Sequence, residues 1–179
     1  MVYLFLADGF EEIEALTPLD MLRRAGVEVK SVSINADCLV KGAHGITVVA
    51  DKTIDETEIT ACEMVILPGG LPGADNLRIN CKVNSFIDKT MEKGGFVCAI
   101  CAAPRILGEK GILNGKKAVC YPGFEKYLEG ALVTDCGCVR DGNIITAKGM
   151  GKANEFGLAL VEALCGKEVS EKIKTSTFA

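Results

Sequence analysis

Cys101 stands between the apolar run Phe96–Ile100 and the small, helix-opening residues Ala102-Ala103-Pro104. A side chain at such a strand-to-helix turn is thrown up at the carboxyl edge of a sheet, the arrangement of a nucleophile elbow. Free backbone N–H groups and the positive end of a helix dipole favour a thiolate there and lower its pKa. The N–H of Ala102, with those of Gly69 and Gly70 after the apolar run Met64–Leu67, is placed to receive an oxyanion or a sulfinate. Three carboxylates, Glu11, Glu12 and Glu14, follow the first apolar run, Val2–Leu6. Adjacent parallel strands bring that turn beside Cys101, so that one carboxylate reaches the thiol, acquires a raised pKa and donates a proton to sulfur. Blander readings compete with both: a free cysteine is usually a small buried hydrophobe, and carboxylates in a first helical turn complement the dipole.

Other reactive residues point less clearly. Cys98 and Cys101 spell a CxxC, but both cysteines of a redox pair open the helix, whereas Cys98 falls inside the strand. Cys62, Cys81, Cys136, Cys138 and Cys165 supply no second CxxC, and no histidine spacing completes a zinc site, so no metal is expected. Gly9 lacks the spacing of a dinucleotide loop, and Gly151-Lys152 lacks the earlier glycine and the following Ser or Thr of a P-loop. Gly69-Gly70 reads as a strand end without an adjacent helix start, Arg23-Arg24 as a solvated pair, and His44 as a residue of a glycine-flanked loop.

The elements that must hold these residues alternate along the chain. Strands are expected at Val2–Leu6, 27–34, Met64–Leu67, Phe96–Ile100, 117–119, 132–134 and 143–146, with short extended pieces at 39–40 and 46–49. Helices are expected at 11–25, bent by Pro18 and stopped at Gly26, at 84–93, after Cys101, at 154–164 and over the tail 168–173. This is an α/β pattern, a doubly wound, mostly parallel sheet covered by helices, with ligands at the carboxyl edge. Its length of 179 residues suffices for one core, and residues 1–179 read as a single domain without a linker or repeat. Nine cysteines, an odd count with no signal sequence ahead, indicate a reduced, cytoplasmic chain. The opening apolar run is too short to cross a membrane. With 20 basic against 24 acidic residues, the charge of −4 disfavours nucleic acid or an anionic membrane as the main partner.

Five stretches in order then resemble the DJ-one/ThiJ/PfpI superfamily, closest to its parkinsonism-associated protein deglycase branch. They are Leu6-Ala7-Asp8-Gly9-Phe10-Glu11-Glu12-Ile13-Glu14, Pro18-Leu19-Asp20-Met21-Leu22-Arg23-Arg24-Ala25-Gly26, Leu67-Pro68-Gly69-Gly70, Ala99-Ile100-Cys101-Ala102-Ala103-Pro104 and Glu155-Phe156-Gly157-Leu158-Ala159. The resemblance implies a flavodoxin-like homodimer in which Cys101 is the nucleophilic, oxidation-sensitive cysteine and Glu14 the protonated glutamate bonded to it. It also puts Gly69, Gly70 and Ala102 at the amides facing the pocket and Arg24 near the dimer contact. The implied activity is a cofactor-free glyoxalase or deglycase reaction on methylglyoxal, glyoxal or their adducts.

Three departures from that pattern stand out. Where many relatives carry a histidine shortly before a proline, this chain has Tyr121-Pro122, and two pocket arginines of the close branch appear as His44 and Lys148. Tyr121 is left as a proton relay, though a phenol near pKa 10 is a poor base at neutral pH, and His44 as its substitute if it approaches the pocket. The alternative function is an oxidative-stress sensor or redox-regulated chaperone working through Cys101 oxidation. A cysteine peptidase or amidotransferase is more remote, because Ala102 stands where peptidase-like members have a histidine and the late histidine of amidotransferases is missing.

Overall fold

The computed structural model describes residues 1–179, the side chain of Ala61 excepted. Eleven strands form: β1 Val2–Leu6, β2 Val29–Ser33, β3 Leu39–Lys41, β4 Thr47–Val49, β5 Lys52–Thr53, β6 Met64–Leu67, β7 Phe96–Ile100, β8 Lys117–Ala118, β9 Leu132–Val133, β10 Cys138–Asp141 and β11 Ile144–Ala147. Six α-helices accompany them: α1 Glu12–Arg24, α2 Gly73–Ile79, α3 Cys81–Glu92, α4 Pro104–Glu109, α5 Ala153–Cys165 and α6 Lys167–Thr177. Seven strands make the main sheet in the order β10-β11-β7-β6-β1-β2-β5. All its pairings are parallel except β10 with β11. The fold is α/β and flavodoxin-like, as the alternating runs indicated.

Every residue of β1 and β6 is buried, which is why these strands read as unbroken apolar runs rather than alternating ones. Their side chains divide between two cores. Tyr3 and Phe5 face α2, α3 and α4, where Phe86 meets the Tyr3 ring edge-on at 5.5 Å and the Phe5 ring at 5.1 Å. Val2, Leu4 and Leu6 face α1 and α5, against Leu19, Leu22, Phe156 and Leu160. Helices α1 and α5 approach so closely that a Cβ on Gly157 would lie 2.6 Å from the Met21 sulfur and 3.3 Å from Cα of Pro18. Pro18 sits inside a continuous helix rather than ending it.

Some elements differ from expectation. Helix α2 begins three residues after Gly70, so the glycine pair does lead into a helix, by way of Leu71-Pro72. Strand β10 closes one sheet edge with partly exposed residues that carry no apolar signal. The helix after Cys101 is only six residues long.

Strand β1 lies between β2 and β6, so the chain leaves β1 toward one side and later resumes on the other. Crevices at the carboxyl ends of strands open at such reversals. Registers Leu67 with Ala99 and Ala147 with Ile100 bring the ends of β6, β7 and β11 level. Cys101, Gly69-Gly70 and Lys148-Gly149 therefore emerge side by side.

Candidate active site around Cys101

Cys101 follows the last residue of β7 with φ 65, a left-handed conformation that is uncommon and strained for a side chain with a Cβ. Its N–H donates to the Ala147 carbonyl at 2.9 Å and its own carbonyl accepts from the Tyr121 N–H at 2.8 Å, so both neighbouring segments hold the turn in place. The thiol is hydrogen-bonded to the Glu14 carboxyl and lies against the N–H groups of Gly70 and Ala102.

Glu14 enters from the first turn of α1 and is 1% exposed. Its Oε2 accepts the Gly69 N–H at 3.0 Å, and the Met150 N–H is a further donor. Glycine is required at 69, where a Cβ would come 2.5 Å from Glu14 Oε2 and 2.6 Å from Cys101 Cβ. Gly70, at φ 84, is required by its approach to the first loop, since a Cβ would lie 2.3 Å from the Glu11 nitrogen. Of the three amides expected to face the pocket, those of Gly70 and Ala102 reach the sulfur, while Gly69 donates to the carboxyl.

Burial pushes the Glu14 carboxyl up to about 7, an effect larger than its hydrogen bonds from Cys101 and Gly69. Burial, followed by the charge of an ionised Glu14, pushes the Cys101 thiol up to about 12. This is opposite to the lowering expected from a helix N-terminus. The physical reason is that α4 is short and the sulfur is mostly enclosed beside a carboxylate, so desolvation outweighs two amide donors. Thiol and carboxyl share a hydrogen bond and titrate as one pair: a first proton leaves near neutrality, and the second leaves against the charge already present.

The remaining candidates fall around this pair. The Tyr121 ring, half exposed, and Glu14 Oε1 flank Gly149, whose Cβ would stand 3.3 Å from Cδ2 of the ring and 3.7 Å from the oxygen. Lys148 is ion-paired with Asp135 and lines a cavity of about 440 Å³ with Cys120, Pro122 and Thr134. Arg24 bonds Asp20 at 2.6 Å on its own helix, outside the hydrogen bonds of the Cys101–Glu14 pair. His44 is 70% exposed at its side chain and lies against Glu12 at 3.0 Å and Glu11 at 3.2 Å. The hydrogen bonds of the pair do not reach it either. Cys98 is buried within β7.

Sequence reasoning missed the work of Glu12, treated there as dipole complement. Its buried carboxylate accepts the backbone N–H of His44 at 2.8 Å and of Ile46 at 3.4 Å, fastening the β3–β4 loop to α1. The glycines flanking His44 were the available signal, for a Cβ at Gly42 would come 2.3 Å from Glu12 Oε1.

The DJ-1/PfpI family profile matches residues 1–163. The chain is 39% identical over 171 residues to protein DJ-1 homolog B of Arabidopsis thaliana, covering 94% of this chain and 39% of that longer protein. It is 35% identical over 170 residues to protein dj-1beta of Drosophila melanogaster, covering 94% of this chain and 91% of that one. A solved structure of Toxoplasma gondii DJ-1, oxidized, superposes with a TM-score of 0.91 at 34% identity, covering 99% of this chain and 97% of that one.

Proposed function

The chain belongs to the DJ-1/PfpI family, and on that premise we propose that it is a cysteine-dependent, cofactor-independent enzyme of glyoxalase or deglycase type, acting on methylglyoxal, glyoxal and their adducts. The observation that carries this reading is a strained Cys101 whose thiol touches a buried acid, Glu14, and two backbone amides. A carboxyl at about 7 is suited to give and take protons at neutral pH.

The Cys101 sulfur adds to the aldehyde carbon of a 2-oxoaldehyde. The thiol proton passes to Glu14 as the C–S bond forms, and the carbonyl electron pair becomes an alkoxide that takes this proton from Glu14, giving a hemithioacetal. The Gly70 and Ala102 amides stabilise the charge on that oxygen. Ionised Glu14 then removes the hydrogen of the same carbon, the electron pair moves toward the ketone, and an enediolate forms whose charge sits on the former ketone oxygen. Glu14 returns the proton to the former ketone carbon while the hydroxyl proton of the neighbouring carbon passes to the former ketone oxygen, leaving a 2-hydroxyacyl thioester. Water adds to the thioester, the C–S bond breaks, and a 2-hydroxy acid leaves with the thiol restored. Isomerisation followed by hydrolysis involves no net oxidation or reduction, so the proposed reaction calls for no redox cofactor. Tyr121, whose ring flanks Gly149, is the phenol assigned to relay protons to solvent, and Lys148 and Arg24 supply basic charge toward substrate or partner.

We place this reaction in the cytoplasm, in a homodimer of one-domain chains spanning residues 1–179. Nine free cysteines support the reducing compartment. Exposed Ile13, Tyr121 and Met150, beside the site, support a covering subunit. Among the described residues, no helix is long and apolar enough to cross a membrane.

Purified protein incubated with methylglyoxal and assayed for lactate tests the reading: lactate forms in the parent and is lost in Cys101→Ser, whereas a variant as active as the parent overturns it. A second reading, oxidation sensing, is favoured by the same donors. The Gly70 and Ala102 amides and protonated Glu14 offer three hydrogen bonds to a sulfinate. Mild peroxide followed by peptide mass measurement decides it; Cys101 is expected among the first thiols to gain two oxygens, and its absence from them excludes this reading.

A further inference from the structure

We propose that Glu11, Glu12 and the imidazole of His44 form a binding site for one first-row divalent cation of the zinc or cobalt type. His44 Nδ1 stands 3.0 Å from Glu12 Oε2 and 3.2 Å from Glu11 Oε2, and all three ligand atoms lie within 4.8 Å of one another. Ligands sharing a metal with bonds of about 2.0–2.2 Å stand roughly 3.0–3.4 Å apart, so these two pairs, one hydrogen-bonded and both within ion-pair distance, are already close enough for one ion to take the place of the proton between them.

The set is held in place before any ion arrives. Glu12 is nearly buried, and its Oε1 accepts the backbone N–H of His44 and Ile46, which leaves Oε2 turned toward the imidazole. Gly42 leaves the space that this carboxylate fills. The Glu11 backbone N–H donates to the Gly69 carbonyl at 3.0 Å, fixing the base of the second carboxylate. Among the described residues, His44 is the one basic side chain paired with either glutamate. A divalent ion therefore replaces a single shared proton, which leaves to solvent, and balances both carboxylates. The exposed side of His44 leaves room for water to complete the shell.

One imidazole nitrogen and two carboxylate oxygens suit zinc, cobalt or nickel better than calcium, which prefers oxygen alone, or copper(I), which prefers sulfur. The site is absent from sequence spacing because the histidine lies 32 residues from Glu12. None of its three side chains is hydrogen-bonded to Cys101 or Glu14, and the site holds whether or not the proposed reaction does.

Cobalt(II) titrated into the intact protein tests it by visible absorption. One equivalent is expected to bind with the weak bands of nitrogen and oxygen ligands, without a thiolate charge-transfer band, and to be displaced by zinc. His44→Ala and Glu11→Gln are each expected to weaken binding about tenfold or more, by analogy with the loss of supporting groups at other sites, while Cys81→Ser with Cys136→Ser leaves it unchanged. His44→Ala removes an exposed ring and keeps the backbone bonds to Glu12, so circular dichroism should match the parent. Failure to bind at millimolar cobalt, a thiolate band, or unchanged affinity in His44→Ala overturns the proposal.

Discussion

At the scale of single residues, the proposed chemistry rests on one proton shared between Glu14 and Cys101. Replacing Glu14 by Gln keeps a hydrogen-bond donor but removes the group that gives and takes the proton. Lactate formation is expected to fall by about 100- to 10,000-fold, with the Cys101 sulfur still alkylated by iodoacetamide. Gly69→Ala tests placement instead of proton chemistry. The added methyl must displace Glu14 Oε2 or Cys101 Cβ, which stand 2.5 and 2.6 Å from its position. A displacement near 1 Å costs about 100-fold in kcat, read in the lactate assay on protein with a parent-like melting curve. Cys101 and its turn were visible in the sequence because five apolar residues run straight into two alanines and a proline. The choice of Glu14 over Glu11 and Glu12 was not, since all three sit in one turn and only the family resemblance separated them. Direction on the first helical turn decides their fates: Glu14 points under Cys101, Glu12 into the β3–β4 loop, and Glu11 toward His44.

At the scale of elements, the long buried strands and the helices around α1, α3 and α5 follow from apolar periodicity, and their observed ends fall within a few residues of expectation. Short or edge elements do not announce themselves. Helix α2 carries two glycines' worth of turn chemistry just before it, and β10 is an exposed antiparallel edge that needs no continuous apolar face. Packing behind the sheet is expected to be separable from the chemistry in front of it. Phe86, 4% exposed between Tyr3 and Phe5, lies on the α3 side. Phe86→Ala should cost about 3–5 kcal/mol in denaturant unfolding, while the folded fraction keeps kcat within about twofold of the parent, as distant sites act additively. A comparable loss of kcat in folded protein would show that α3 helps to place the elbow.

At the scale of the whole molecule, the buried acid ties stability to pH. The folded pKa of Glu14 is about 7 against an ordinary 4.5, so the folded state holds a proton that the unfolded chain has already released between these values. Its contribution is therefore fully present below about pH 4.5 and is lost as pH rises toward 7 and beyond. The change amounts to about 3 kcal/mol. Melting curves of the parent should consequently decline from pH 5 to pH 7.5 relative to those of Glu14→Gln, and parallel curves would contradict a raised carboxyl. The same coupling governs the thiol. With the first proton leaving the pair near neutrality, the singly ionised state includes thiolate beside a protonated Glu14, the form that the proposed reaction requires. The rate of Cys101 alkylation across pH 5 to 10, followed by peptide mass measurement, reads that species directly. The parent should show an inflection near pH 7 that disappears in Glu14→Gln, whereas a rate that begins to rise only above pH 9, equally in both proteins, would contradict the shared-proton site.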